Sequence, residues 1–249
     1  IAAEQNLQVD EADFQERMEA QRRQSRARRK ETSGWDTETA ITVEDVEKTV
    51  FTGYDKLEGD VNVLALYEGS ERVQSLAYGK EGVVVLDRTP FYAESGGQVS
   101  DVGTLTSADQ IVRVQAVKKD KNEIFLHTIS VEKGSLKEGD VLHACVEKDR
   151  REDIRRNHSA THLLHRALRE VLGDHVHQAG SLVEPDRLRF DFTHYQAMNE
   201  EEKQNVEKIV NRAIFDSYPV KTRVLPLQEA MAEGAMGLFE DKYHDAVRV

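Results

Sequence analysis

Apolar positions change their period along this chain. From about Val46 to Val146 they come in short runs punctuated by glycine, at Val61 to Tyr67, Val73 to Tyr78, Val83 to Leu86, Ile111 to Val117, Ile124 to Ile129 and Val141 to Val146. Several short strands with turns between them predict a small β-barrel. After about Asp149 the spacing lengthens to three and four. Ala160, Leu164, Ala167, Leu168, Val171 and Leu172 make the buried stripe of a helix that Gly173 stops. Leu188 to Phe192 alternates as a strand. Asn199 and Glu202 then form a capping box for a second helix, whose buried stripe is Val206, Ile209, Val210, Ala213 and Ile214, with Pro219 ending it. Val220 to Leu225 reads as a further strand and Leu227 to Phe239 as short helix and turn. Ahead of all this, Asp10 to Lys30 has the look of a helix with one apolar pair, Phe14 and Met18, so it reads as a connector. Ser33-Gly34 breaks it and Trp35 to Ala40 is linker. The expected fold class is α+β: a connector with its linker over 1–40, a β-barrel over 41–148, and over 149–249 a two-layer α+β unit with helices on one face of a sheet.

The densest chemistry lies in Asn157-His158-Ser159-Ala160-Thr161-His162-Leu163-Leu164-His165. His158 and His162 stand four apart and so share one helix face, while His165 runs with them beside the apolar stripe. Zinc binds imidazole nitrogen and usually takes four ligands, which makes the pair half of a metal site. A metalloprotease helix places glutamate directly after its first histidine as general base. Ser159 and Ala160 stand here instead, so that chemistry is excluded. Taken alone, a histidine pair at this spacing is more often two surface or hydrogen-bonded helix residues. The run Glu94-Ser95-Gly96-Gly97-Gln98 reads as a tight turn, because it lacks the lysine and hydroxyl that close a phosphate loop. His175 and His177 read as exposed residues of the turn after Gly173. Cys145, inside an apolar strand pattern, reads as a buried and inert thiol rather than a ligand.

Composition sharpens this picture at a few points. A net charge of −12 over 249 residues works against a nucleic-acid partner. Two basic clusters run the other way: Arg22, Arg23, Arg26, Arg28, Arg29 and Lys30, and then Arg150, Arg151, Arg155, Arg156, Arg166 and Arg169 on either side of the histidine pair. The first is interleaved with Glu16, Glu19 and Glu31, as a solvated helix face would be. A single cysteine excludes an internal disulfide framework and agrees with a reducing cytoplasm. No apolar run approaches a membrane span and no secretory signal opens the chain, so a soluble, cytoplasmic protein is expected, with no protein partner predicted. The start at Ile1 fits a fragment.

Two long strings resemble the editing region of bacterial alanyl-tRNA synthetases. One runs from Asn157 to Val183; the other is Phe91-Tyr92-Ala93-Glu94-Ser95-Gly96-Gly97-Gln98 followed by Asp101-Val102-Gly103. The likeness extends from about Phe14 to Val249 and takes in the arginine-rich helix that joins tRNA recognition to editing in that family. It implies zinc on His158 and His162, with two further ligands from a Cys-Gly-Gly-Thr-His string that this chain, ending at Val249, does not reach. It also implies Thr161 and Gln178 as catalytic residues lining the pocket, Ser95, Gly96, Gly97 and Gln98 as the opposing, substrate-binding wall, and Arg155 and Arg156 as tRNA-binding residues. The partner would be tRNA(Ala). ATP and magnesium would belong to an aminoacylation region outside this chain, so no ligase activity is expected from it.

The chemistry so implied is hydrolysis of the ester between tRNA(Ala) and serine or glycine. A pocket sized for alanine rejects glycine by only ~1–3 kcal/mol and rejects an added hydroxyl weakly, so a second site must destroy the errors. Two rivals stand beside this reading. One is a tRNA-binding or structural module, inactive without the missing zinc ligands. The other is a different deacylase, either a freestanding trans-editing protein or the threonyl enzyme's editing domain, which the barrel string and the connector helix disfavour.

Overall fold

The computed structural model describes residues 13, 16–19, 41, 43, 46–234 and 246–249. The chain divides into two compact units, Ile1–Ile41 and Thr42–Val249. In the first, Asp13 and residues 16–19 are helical, and Arg17 donates to the Asp13 carboxylate one turn back at 2.8 Å. The rest of the expected connector helix, including Phe14 and the arginine cluster, lies outside the described residues, as do the linker and 235–239.

The second unit opens with fifteen strands and three helices among its described residues: β1 (Val50–Phe51), β2 (Glu58–Glu68), β3 (Glu71–Val73), β4 (Ser75–Ala77), β5 (Glu81–Leu86), β6 (Arg88–Thr89), β7 (Gly103–Thr106), β8 (Ile111–Lys119), β9 (Phe125–Lys133), β10 (Ser135–Lys137), β11 (Val141–Val146), α1 (Lys148–Leu172), β12 (Gln178–Val183), β13 (Leu188–Phe192), α2 (Glu200–Phe215), β14 (Val224–Pro226), α3 (Leu227–Ala232) and β15 (Ala246–Arg248). Strands pair in the order β11-β7-β8-β9-β5-β2, and β2 returns to β11, which closes the barrel; β3 hangs from β2 as a hairpin. Closure leaves no open edge on those six strands.

Alternation of side chains fills the barrel. Val112 and Val114 on β8, Phe125, Ile129 and Val131 on β9, and Leu142, Ala144 and Val146 on β11 all point inward and are buried. Phe91 and Leu105 complete the same core. His127 also occupies an inward position, fully buried, and its ring nitrogens are satisfied: Nδ1 donates to the Val84 carbonyl at 3.1 Å and Nε2 accepts from the Thr89 hydroxyl at 2.7 Å. Burial pushes its pKa down to about 4, so it is neutral.

Several sequence expectations need correction. The run Val73 to Tyr78 is two strands, β3 and β4, because Gln74 breaks the ladder between them. Strand β7 joins the barrel although Gly103-Thr104-Leu105-Thr106 is too short and polar to stand out. Helix α2 ends at Phe215, with Asp216 at its C-cap and Ser217 at φ 50°, before Pro219 is reached. Of the expected strand after it, Arg223, Val224 and Leu225 pair, with Val249 and β15. Cys145 is half-buried on the outer side of β11, and Ile214 is exposed. The capping box at Asn199 and Glu202 forms as expected, at 2.8 Å in both directions. Among the described residues no helix is long and apolar enough to cross a membrane.

Candidate functional site

Helix α1 grows directly out of β11, so its first turns are anchored to the barrel end. The anchor is Arg151. Its side chain is 8% exposed and forms an ion pair with Asp101, 1% exposed, with Nε at 2.8 and 3.0 Å from the two carboxylate oxygens. The same guanidinium donates to the carbonyls of Gly53 at 2.9 Å and Pro90 at 3.0 Å. Arg150 adds a bond to the Ser100 carbonyl at 2.7 Å. Seven residues on, two helical turns along the same face, stands His158. Its Nδ1 lies 2.6 Å from Gln98 Oε1. Residues 98 and 101 of one barrel loop thus clamp residues 158 and 151 of one helix.

The loop holds its shape through the glycines. Ser95 and Gln98 exchange backbone hydrogen bonds at 3.2 and 3.0 Å, and the two residues between them, Gly96 and Gly97, have φ of 60° and 85°. That is the pattern of a type I′ turn, which any residue with a Cβ resists. Gly97 has a second reason: a side chain there would collide with the Ser181 carbonyl. Strand β12 docks against the turn, with Val183 N donating to Gly97 O at 2.7 Å and Val99 N to Val183 O at 3.1 Å. Gln178 Nε2 donates to Ser181 Oγ at 3.1 Å, and Ser181 Oγ reaches the Gly96 carbonyl at 3.4 Å. Asn157 fastens the far end of the hairpin by donating to the carbonyls of Glu184 and Pro185 at 2.7 and 3.1 Å.

His158 and His162 stack, with ring centroids 5.2 Å apart and planes 19° apart. Burial, and next the neighbouring His162, hold His158 below the ordinary histidine range, so it is neutral at pH 7. Because Nδ1–H is donated to Gln98, the Nε2 lone pair is the one left to bind. This is the arrangement of a metal-ligating histidine, whose second nitrogen is normally held by a carbonyl or carboxylate. The residues present therefore suit two zinc ligands. Among the described residues, no group of three or more His, Cys, Asp or Glu is placed to hold a metal.

The structure brings together most of the sequence-predicted site: His158, His162, Ser95, Gly96, Gly97, Gln98 and, through Ser181, Gln178. Thr161 is placed otherwise. It is buried and its hydroxyl donates to the Asn157 carbonyl at 2.9 Å, inside the helix. His165 belongs to the buried face rather than beside it, packed on Phe190 with centroids 5.2 Å apart. His175 is half-buried rather than exposed, its Nε2 2.8 Å from His194 Nδ1 and its ring stacked on Tyr195. The expected basic cluster is largely compensated. Arg155 pairs with Glu152 at 2.9 Å, Arg156 with Asp153, Arg166 with Glu170 at 3.9 Å and Arg169 with Asp174 at 2.9 Å. Sequence reasoning missed Asp101, Arg151, Asn157 and Ser181 as organisers. The signal for Asp101, Asn157 and Ser181 was their place inside the two long strings; nothing local marked Arg151.

A family model for the tRNA synthetases class II (A) matches residues 1–150, which takes in the whole barrel. Over its whole length the chain is 50% identical to the alanine–tRNA ligase of Pelotomaculum thermopropionicum, 48% to that of Thermus thermophilus and 44% to that of Geobacillus thermodenitrificans. It spans 29%, 29% and 28% of those proteins respectively, under a third of each.

Proposed function

The chain belongs to the tRNA synthetases of class II (A), and from that premise we propose that it is the editing module of an alanine–tRNA ligase, hydrolysing tRNA(Ala) mischarged with serine or glycine in the cytoplasm. In this reading 1–40 is connector and linker, 41–148 the barrel, and 149–249 the editing core. One observation carries it: the stacked His158 and His162 and the Ser95–Gln98 turn, far apart in sequence, meet at a hydrogen bond between His158 and Gln98.

The reaction breaks the ester C–O bond as water adds to its carbonyl, and releases the free amino acid and the tRNA ribose hydroxyl. His158 and His162 would hold zinc, completed by ligands beyond the described residues; when bound, the metal supplies a Lewis acid for water or for the substrate. Gln98 fixes the ring orientation of His158. Gln178 and Ser181, already linked at 3.1 Å, present a donor and an acceptor of the kind that reads a serine hydroxyl, while the Gly96–Gly97 turn leaves room for the ester beside them. Arg155 and Arg156, each paired with a neighbour three residues back on an exposed helix face, can exchange that partner for tRNA phosphate. Thr161 serves this site through the helix backbone it grips. ATP and magnesium would act only in the ligase's aminoacylation region.

Serine release from serine-charged tRNA(Ala) tests the reading. Zinc-supplied protein should release serine well above background, and His158→Ala with His162→Ala should abolish this. Hydrolysis undiminished by both changes would overturn it. A module that only binds tRNA is favoured by the lack, among the described residues, of a third metal-binding side chain at the pair; it releases no serine under any condition. Alanine-dependent ATP–pyrophosphate exchange by this chain alone would contradict the expected absence of ligase activity.

A further inference from the structure

The connection from α1 to β12 carries His175 and His177, and the segment leaving β13 carries Thr193, His194 and Tyr195. These two stretches are zipped together. Thr193 N donates to the His177 carbonyl at 3.0 Å, His177 N donates to Thr193 Oγ1 at 3.0 Å, and that hydroxyl donates in turn to the His175 carbonyl at 2.9 Å. At the end of the zip His175 Nε2 lies 2.8 Å from His194 Nδ1. The ring centroids are 5.1 Å apart and the planes only 20° apart, so the rings meet nearly in plane along the line between those nitrogens, as an N–H···N hydrogen bond requires. Tyr195 lies over His175, with centroids 4.6 Å apart.

Counting protons shows what this contact tolerates. Two neutral imidazoles hold two protons on four nitrogens, and the contact accommodates one of them. The other sits on His175 Nδ1 or on His194 Nε2. His194 Nε2 is shielded from solvent and meets no partner among the described residues, and a bare lone pair costs less in such a place than an unmade N–H bond. His194 therefore donates from Nδ1, while His175 accepts at Nε2 and keeps its own proton on Nδ1. A third proton has nowhere good to go. On His194 Nε2 it makes a buried imidazolium with an unpaired donor; inside the contact it sets two N–H groups against each other.

The charged groups beside the pair do not offset that cost. Asp174 on the same connection is committed to Arg169 of α1 at 2.9 Å, Asp191 on β13 to Arg189 at 3.2 Å, and in the first turn of α2 Glu200 holds Lys203 while Glu202 caps the helix. His165 of α1, which reaches the Val176 backbone, and the exposed His177 and Tyr195 bring no negative charge near neutral pH. We propose that His175 and His194 form an acid-operated release for the strand end that carries Gln178: near neutral pH one shared proton holds the zip closed, and proton uptake parts the rings and frees residues 175–178 from 193–195. The closed contact holds two protons and the parted rings hold up to four, so lower pH favours the open form. This device belongs to the fold and does not rest on the chemistry assigned to His158 and His162.

Nitrogen-15 NMR of the imidazole rings tests it on the parent chain. At about pH 7.5 both rings should be Nδ1–H tautomers, with a scalar coupling across the N–H···N contact; on lowering the pH to about 5.5 both should gain protons together as that coupling vanishes. Over the same range, amide exchange at His177 and Thr193, allowing for the intrinsic rate, should quicken about tenfold, while Val183, bonded to Gly97 at 2.7 Å, stays protected. His194→Phe keeps a flat ring without the nitrogens, so exchange at His177 and Thr193 should lose its dependence on pH. An Nε2–H tautomer at His194 near neutral pH, rings that titrate separately with the coupling intact in acid, or parent exchange that ignores pH would each overturn the inference. So would an unchanged acid response in folded His194→Phe; if that variant does not fold, the parent spectra decide alone. None of these readouts uses serine release, so failure of the editing reading leaves this test standing.

Discussion

The barrel and the α+β half of this molecule solve burial differently. The barrel closes on itself and its core is continuous, from Val61 and Leu66 through Phe91 and Leu105 to Leu142 and Val146, all buried. The α+β half has a thin core of Ala167, Leu168, Val176 and Val206, with Leu164, Phe192, Met198 and Val210 only partly covered around an open groove of about 360 Å³. Phe215 is 85% and Val220 86% exposed. A closed barrel satisfies its own edges and fills its own interior, whereas helices laid on a two-stranded hairpin leave apolar faces open. The site sits where the two meet, and takes its rigidity from the barrel: the helix bearing the histidines is held by Arg151 in Asp101 and by His158 on Gln98.

The largest effect should come from cutting that junction. Arg151→Met strands the buried Asp101 carboxylate and two carbonyls, and should cost about 3–5 kcal/mol in denaturant unfolding. A loss below about 1 kcal/mol would mean that the halves are not joined this way. The two cores can then be compared directly. Phe91→Ala in the barrel should cost about 4 kcal/mol, and Val206→Ala in the α+β half about 1.5 kcal/mol, since fewer buried carbon atoms are lost and the site is already open. Equal losses would erase the contrast between the halves.

Acid separates them further through His127. Its pKa is about 4 in the folded barrel against 6.5 ordinarily, so between those values the unfolded chain binds a proton that the folded chain does not. Stability therefore falls as pH drops from 6.5 toward 4, by up to about 3 kcal/mol, and is fully present above 6.5. His127→Gln should flatten that part of the curve in urea melts at pH 7, 5.5 and 4.5; an unchanged slope would assign acid sensitivity elsewhere. The smallest effect belongs to the α+β half. Asn199→Ala removes the hydrogen bond to Glu202 N and should lower stability by about 1 kcal/mol, read as a modest shift in thermal midpoint.

Much of the fold was legible because its signals are local. Alternation in Ile111 to Val117 and Val141 to Val146 reports one wet and one dry face without any knowledge of the partner strand, and the Asn199–Glu202 box closes within four residues. Strand β7 was hidden by its brevity, and β12 by Gln178-Ala179-Gly180-Ser181, whose small and polar residues match no strand pattern. At the site, the spacing of His158 and His162 and the double glycine were readable for the same local reason. The roles of Arg151 and Thr161 were not. One looks like a surface cation and the other like a pocket hydroxyl, until burial shows the first pinned to Asp101 and the second bonded within its helix.

By itself, the order of residues determined the period of each segment, the turn that only Gly96 and Gly97 accept, the histidines on one helical face and the likeness to a tRNA-charging family. What tertiary structure alone decided was convergence. Gln98 is sixty residues from His158 in the chain, and Arg248 nearly two hundred from Tyr54, yet each pair is in contact. Such pairings depend on barrel closure and on how α1 leaves β11, and no local periodicity encodes the distance between segments that far apart.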